Sequence, residues 1–261
     1  MDGNKRGLTR RVFLKKACGA AAGGLLATAA VAGAGASEVQ SQGPEEDLSQ
    51  YDLLMPRVKF DALEGPKDYW TVYPEGDLNI LRIFASKVRC RVKLTPNQTH
   101  RGVEAAFNAV VDFKDLETLL KYPFIFMTSQ YRYELSEQEK ENLKRYIYTG
   151  GFLFMDDCIV RTRGDFFYQS SYKILDEVFG KPALRPIPVS HEVFHNVYDF
   201  GRGGVPHCHG TYHPAQGVFV GDRLAVFLSS TDIHCAWVGN HTRVQQGIEM
   251  GINILMYALT H

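Results

Sequence analysis

Two short apolar runs constrain this chain more than any other feature. Tyr122–Thr128 reads YPFIFMT and Phe152–Met155 reads FLFM, and neither run alternates with polar residues. A strand that is apolar on both sides is buried on both faces, as in a parallel sheet covered by helices. Between the runs, Ser136 is followed three residues on by Glu139, the spacing of a capping box. Leu143, Tyr146 and Ile147 then share one helical face, and Gly150 stands where helices commonly stop. Strand, helix and strand joined by short connections make a right-handed βαβ unit. The chain is therefore expected to be an α/β protein with a mostly parallel sheet.

The flanks extend the pattern. Arg57–Leu63 alternates, with Val58 and Phe60 on one side, as a strand does. Asp77–Lys87 reads as a helix with Asp77 as N-cap and Leu78, Leu81, Ile83 and Phe84 as its apolar stripe. Short strands are expected near residues 88–94 and 109–113, and a short helix at 115–120. Phe166–Phe179 reads as a further helix through Tyr172, Leu175 and Val178. Residues 181–189 are proline-rich and extended. Residues 200–217 form a glycine-rich loop of a length that is usually functional or mobile. Leu224–Leu228, LAVFL, is the last expected buried strand, and Gln245–Leu259 closes the chain as a helix with Ile248, Ile252, Leu255, Met256 and Leu259 inward.

The N-terminus reads differently. Arg10 and Arg11 precede Phe13-Leu14, and an Ala/Gly-rich, weakly apolar run ends in Ala34-Gly35-Ala36. This resembles a twin-arginine export signal with a small-x-small cleavage site. The run is poor in leucine for a permanent transmembrane helix. The expected organisation is a signal at 1–36, a polar linker at 37–55 and one α/β domain at 56–261, located in the periplasm or otherwise outside the cytoplasm. The twin-arginine translocase is then a partner during export. Lys plus Arg and Asp plus Glu each number 29, so no basic excess points to nucleic acid. The remaining expected partner is a small molecule or an envelope protein. Cys90, Cys158, Cys208 and Cys235 follow the signal, an even number that permits two disulfides or free buried thiols.

Several of these blocks carry a resemblance. YPFIFMT, the L-S-x-x-E helix start, GGFLFMDD, HEVFHNVYDF and the closing GINILMYALTH occur in the order found in domain-of-unknown-function family 4159. The chain is similar to that family over most of 57–261. The family in turn is similar to class I glutamine amidotransferase-like domains. The resemblance implies a three-layer, flavodoxin-like sandwich and no assigned activity. Family members often carry an aromatic residue after the two aspartates, where this chain has Cys158. The loop GGVPHCHGTYH also departs from the family's glycine-rich loop.

In such a sheet, sites gather beyond the carboxyl ends of the strands. Three polar clusters follow expected strands: Thr128-Ser129-Gln130, Asp156-Asp157-Cys158, and the run from Ser229 to Cys235. The candidate ligand-binding rim is Ser129, Asp156, Asp157, Asp232 and His234, against the bland reading that Asp156 or Asp157 caps a following helix. A candidate metal set is His207, His209, His213 and Asp157, for a divalent ion such as zinc, with His234 or Cys235 as further donors. Cys158 as an amidotransferase-type nucleophile lacks a G-x-C-x-G elbow, and neighbouring carboxylates raise a thiol pKa. Trp70, Tyr69, Tyr73 and Trp237 are candidate stacking faces for a saccharide, or core residues. His191-Glu192-Val193-Phe194-His195 formally matches H-E-x-x-H, but the proline and glycine flanks leave no long helix for it. The function expected is an accessory or ligand-binding envelope domain without the catalytic elbow. The alternative is a metal-dependent hydrolase.

Overall fold

The computed structural model describes residues 50–94, 99–100, 103–104, 109–159, 164–239 and 243–261. The expected twin-arginine signal at 1–36 and the expected linker up to residue 49 lie outside the described residues.

The strands are β1 (Arg57–Lys59), β2 (Thr99–His100), β3 (Val103–Glu104), β4 (Val110–Asp112), β5 (Phe124–Ser129), β6 (Phe152–Asp157), β7 (Arg185–Pro186), β8 (Gln216–Val220) and β9 (Arg223–Ser229). The helices are α1 (Pro74–Val88), α2 (Leu116–Leu119), α3 (Glu137–Tyr148), α4 (Phe166–Phe179), α5 (Ile233–Val238) and α6 (Val244–Thr260). Seven strands form one mixed sheet in the order β4-β1-β5-β6-β9-β8-β7, and β2 and β3 pair separately. From β4 to β9 every pairing is parallel, while β8 and β7 add antiparallel at one edge.

The continuous apolar runs do what their composition requires. Every residue of β5 and β6 is buried. Alternate side chains enter two cores. Phe124, Phe126, Phe152, Phe154 and Phe227 pack under α1, α5 and α6, whose Leu81, Phe84, Trp237 and Leu255 belong to the same cluster. Ile125, Met127, Leu153, Met155 and Val226 face α2, α3 and α4, through Leu119, Leu143, Ile147, Phe167 and Leu175. Helices thus cover both faces. On the first face, Phe126 and Phe154 are register partners with ring centroids 5.1 Å apart and planes 15° from parallel. Such pairs contribute about 0.5–1.5 kcal/mol beyond burial of their area.

The helix signals hold locally. Ser136 and Glu139 form the full capping box of α3, and Gly150 takes φ 107° just after it. Asp115 caps α2 by accepting from the Thr118 N–H. Helix α1 begins earlier than expected. Pro74 occupies its first turn, where its missing N–H costs nothing, and Asp77 lies inside the helix, fully buried, not at the cap. The expected strand near 88–94 reduces to a single parallel bridge between Leu53 and Val92. Several elements were absent from the sequence reading, among them β2, β3, β8 and α5. β8 forms a tight hairpin with β9 around Gly221, whose φ is 61°. α5 occupies what reads as a polar loop after β9. Among the described residues no helix is long and apolar enough to cross a membrane.

Candidate functional site at the carboxyl edge of the sheet

The parallel register brings the three polar clusters side by side. Thr128 pairs with Asp156 and Asp156 with Ser229, while Ser129 pairs with Asp157. Ser129, Asp156, Asp157, Asp232 and His234 therefore share one edge, and all five are at most 1% exposed.

The two adjacent aspartates point apart, as successive strand residues must. Asp156 turns to the α5 side, where Oδ2 accepts the His234 N–H at 2.7 Å. Asp157 turns to the α4 side, where Oδ2 accepts the Tyr168 N–H at 2.7 Å. Each carboxylate thus satisfies a donor in the first turn of a helix. The other oxygen, Oδ1, of each is buried without a hydrogen-bond partner among the described residues. Burial pushes the Asp156 carboxyl up to about 7, against the pull of the His234 N–H. Burial also lifts Asp157 well above the usual carboxylate range, with Asp156 and Asp232 adding to the effect.

The helix-capping role of Asp157 makes a specific prediction. Asp157→Ala leaves the Tyr168 N–H buried and unpaired, so urea unfolding should report a loss of about 1–3 kcal/mol. Asp157→Asn keeps an acceptor oxygen and should cost much less. Equal losses would show that the carboxylate charge, not the cap, matters.

Between β6 and α5 lies a thiol pair. The Cys158 and Cys235 sulfurs are 3.2 Å apart, and both thiols are free. Gln130 Nε2 points at the Cys158 sulfur from 3.6 Å. The two sulfurs and an Asp232 oxygen all lie within 4.8 Å of one another, in the one metal-holding group found among the described residues. Asp232 stands at the N-cap of α5 with φ 58°. Tyr73, at φ 45°, precedes α1 at the same edge, and after burial itself the two thiols and Asp232 raise its phenol. Left-handed backbone at two non-glycine residues is a local cost that the surrounding packing must sustain. The bond from Cys235 favours a Cys158 thiolate, but burial and the Asp232 and Asp157 carboxylates outweigh it and raise the Cys158 pKa.

The expected histidine set is not brought together. His207 Nε2 pairs with the Gly210 carbonyl at 2.9 Å. His209 Nδ1 lies 3.1 Å from the Ile159 carbonyl and 3.4 Å from Asp232 Oδ2. His213 Nε2 meets Asp165 at 2.8 Å while its ring stacks on Tyr168. Asp157 shares no metal-holding group with any of them, because it faces the first turn of α4. His191 and His195 flank a 3-10 turn at Glu192–Phe194, so HEVFH supplies no zinc-binding helix. Of the candidate stacking residues, Trp237 is core and Tyr69 and Trp70 are half-buried.

Behind the rim is a buried ion pair that the sequence reading missed. Arg57 opens β1 and reaches Asp77 twice, Nε to Oδ2 at 2.8 Å and Nη2 to Oδ1 at 2.7 Å. Its Nη1 donates to the Trp70 carbonyl at 2.7 Å, and His234 Nε2 lies 2.9 Å from Nη2. Burial, then the Arg57 charge, lower the His234 pKa, so the ring is neutral near pH 7. The same Nε2 lies 3.3 Å from Asp77 Oδ1, so the ring faces both members of the pair. No local signal marked the pair, because Arg57 and Lys59 are both polar positions of the short alternating strand β1.

A family model described as a domain of unknown function, DUF4159, matches residues 57–259. No curated protein matches the chain.

Proposed function

The chain belongs to the DUF4159 family, and from that membership and the state of Cys158 we propose an exported accessory or ligand-binding domain of the cell envelope, on an amidotransferase-like scaffold without glutaminase chemistry. The parallel strands follow the order β4-β1-β5-β6-β9, which in chain order is second, first, third, fourth, fifth. That is the order of flavodoxin-like sheets, and it supports this assignment of the scaffold.

The observation that carries the proposal is the burial of Cys158. A nucleophilic cysteine needs an accessible thiolate, commonly on a strained turn. Cys158 is 1% exposed, faces Cys235 and two carboxylates, and is not among the residues at positive φ. Purified protein should release no more ammonia from glutamine than its Cys158→Ala variant does. Turnover abolished by Cys158→Ala would overturn the reading. A thermal-shift screen against envelope saccharides and peptides should find ligands whose effect weakens in Asp156→Asn, since the rim is where such a sheet gathers contacts. A set of hits indifferent to every rim substitution would place binding elsewhere.

Export rests on the Arg10-Arg11 signal. The native chain should fractionate outside the cytoplasm, and an Arg10→Lys, Arg11→Lys double variant should remain inside. Equal distribution of the two would remove the twin-arginine route.

A further inference from the structure

We propose that Cys158, Cys235 and Asp232 form a binding site for a single divalent ion of the zinc class, set between β6 and α5. This site differs from the histidine loop and is independent of the export and ligand readings above.

The geometry is specific. The sulfurs stand 3.2 Å apart, well beyond the ~2.05 Å of a disulfide. With the Asp232 oxygen they lie within 4.8 Å of one another, a span that a single ion bonded at about 2.3 Å to sulfur and about 2.0–2.2 Å to oxygen can bridge. Two thiolates and a carboxylate suit a borderline ion such as zinc better than calcium or magnesium, which prefer all-oxygen shells.

A second observation points to the same place. Asp232 occupies a helix N-cap, where an aspartate ordinarily accepts from the N–H groups of the first turn. Asp232 also adopts φ 58°, and its carboxylate lies beside the two thiols and is bonded by Cys235. The local backbone cost has an explanation if the Asp232 carboxylate serves a cation.

An outer layer is present. His209 Nδ1 pairs with the Ile159 carbonyl at 3.1 Å, which fixes the ring 3.4 Å from Asp232 Oδ2. The Gln130 amide donates to the Cys158 sulfur. Partners of this kind orient metal ligands and offset their charge. Binding replaces the two thiol protons, which pass to solvent, and a water molecule takes the fourth tetrahedral position.

The test uses the full chain, purified without a histidine tag or chelator. Elemental analysis should find zinc in stoichiometric amount. Chelator-stripped protein reloaded with cobalt(II) should show sulfur-to-cobalt charge-transfer bands and the visible bands of a tetrahedral ion. Cys158→Ser and Cys235→Ser should each abolish the charge-transfer intensity expected of paired thiolates, and Cys90→Ser should leave it intact. His209→Ala, which removes only an outer partner, should weaken zinc binding about 10–100-fold. Should the cysteine variants fail to fold, the wild-type cobalt spectrum and Asp232→Asn carry the test alone. The proposal is overturned by metal-free protein that takes up no cobalt. It is equally overturned by a Cys158–Cys235 disulfide in non-reducing peptide maps, or by cobalt spectra that ignore all three ligand substitutions.

Discussion

Asp77→Ala is expected to lower the free energy of unfolding by about 3–5 kcal/mol in urea denaturation. The substitution leaves the buried Arg57 guanidinium, at 0% exposure, without the Asp77 counter-charge, beside the Trp70 and Val72 carbonyls and the neutral His234 ring. A stranded buried charge, more than a lost contact, sets the size of the effect. For the same reason an Arg57→Met, Asp77→Leu double variant should cost far less than the sum of its parts, because no charge remains to be stranded. Additive losses would mean that the pair does not act as a unit. The pair also has a pH signature. Burial alone would raise the Asp77 carboxyl, but Arg57 and His234 outweigh it and hold it below the ordinary value. A carboxyl depressed in the folded state stabilises above its unfolded pKa and loses that contribution as pH falls through the folded value. Asp77→Asn should therefore flatten the acid limb of the stability profile below about pH 4. An unchanged acid limb would show that other carboxyls dominate there.

Phe154→Ala should cost a similar ~3–5 kcal/mol. Phe154 is 1% exposed on β6, and its ring centroid lies 5.1 Å from that of Phe126, 5.8 Å from Phe227 and 6.0 Å from Trp237. Three of its neighbours are rigid aromatics on separate elements, so the cavity cannot collapse by a local rotamer change. Phe154→Leu retains much of the volume and should lose markedly less. The urea midpoint should fall with the slope unchanged, since the denatured chain is hardly altered. A loss below about 1 kcal/mol for Phe154→Ala would contradict the tight aromatic layer seen here.

How far the chain could be read without coordinates depended on where the deciding interactions lay. The capping box at Ser136 and the buried runs of β5 and β6 were legible because each is set by residues within a turn or a strand of itself. The shared rim was legible because parallel strands align their ends. The hairpin of β8 and β9 was legible in principle, as two apolar runs separated by Gly221-Asp222, and was passed over because the glycine-rich loop before it was extended too far. The Arg57–Asp77 pair and the meeting of Cys158 with Cys235 were not legible. Both join residues from separate elements, and no local spacing encodes either. The histidines of the loop looked like one donor set because they are close in sequence, yet the irregular backbone turns each ring to its own partner.

The position of His234 also bears on when this domain becomes complete. Arg57 meets Asp77 across 20 residues but His234 across 177. During synthesis the first contact can form early, while the helix that covers it is still to come. Contacts of such long separation are slow to close and are made late. Cys158 likewise waits for a partner 77 residues downstream. A chain cut short before α5 would keep the Arg57–Asp77 contact open on one side and its thiol alone. The carboxyl edge thus closes only after α5 has been made, and its intactness reports that synthesis has passed Cys235.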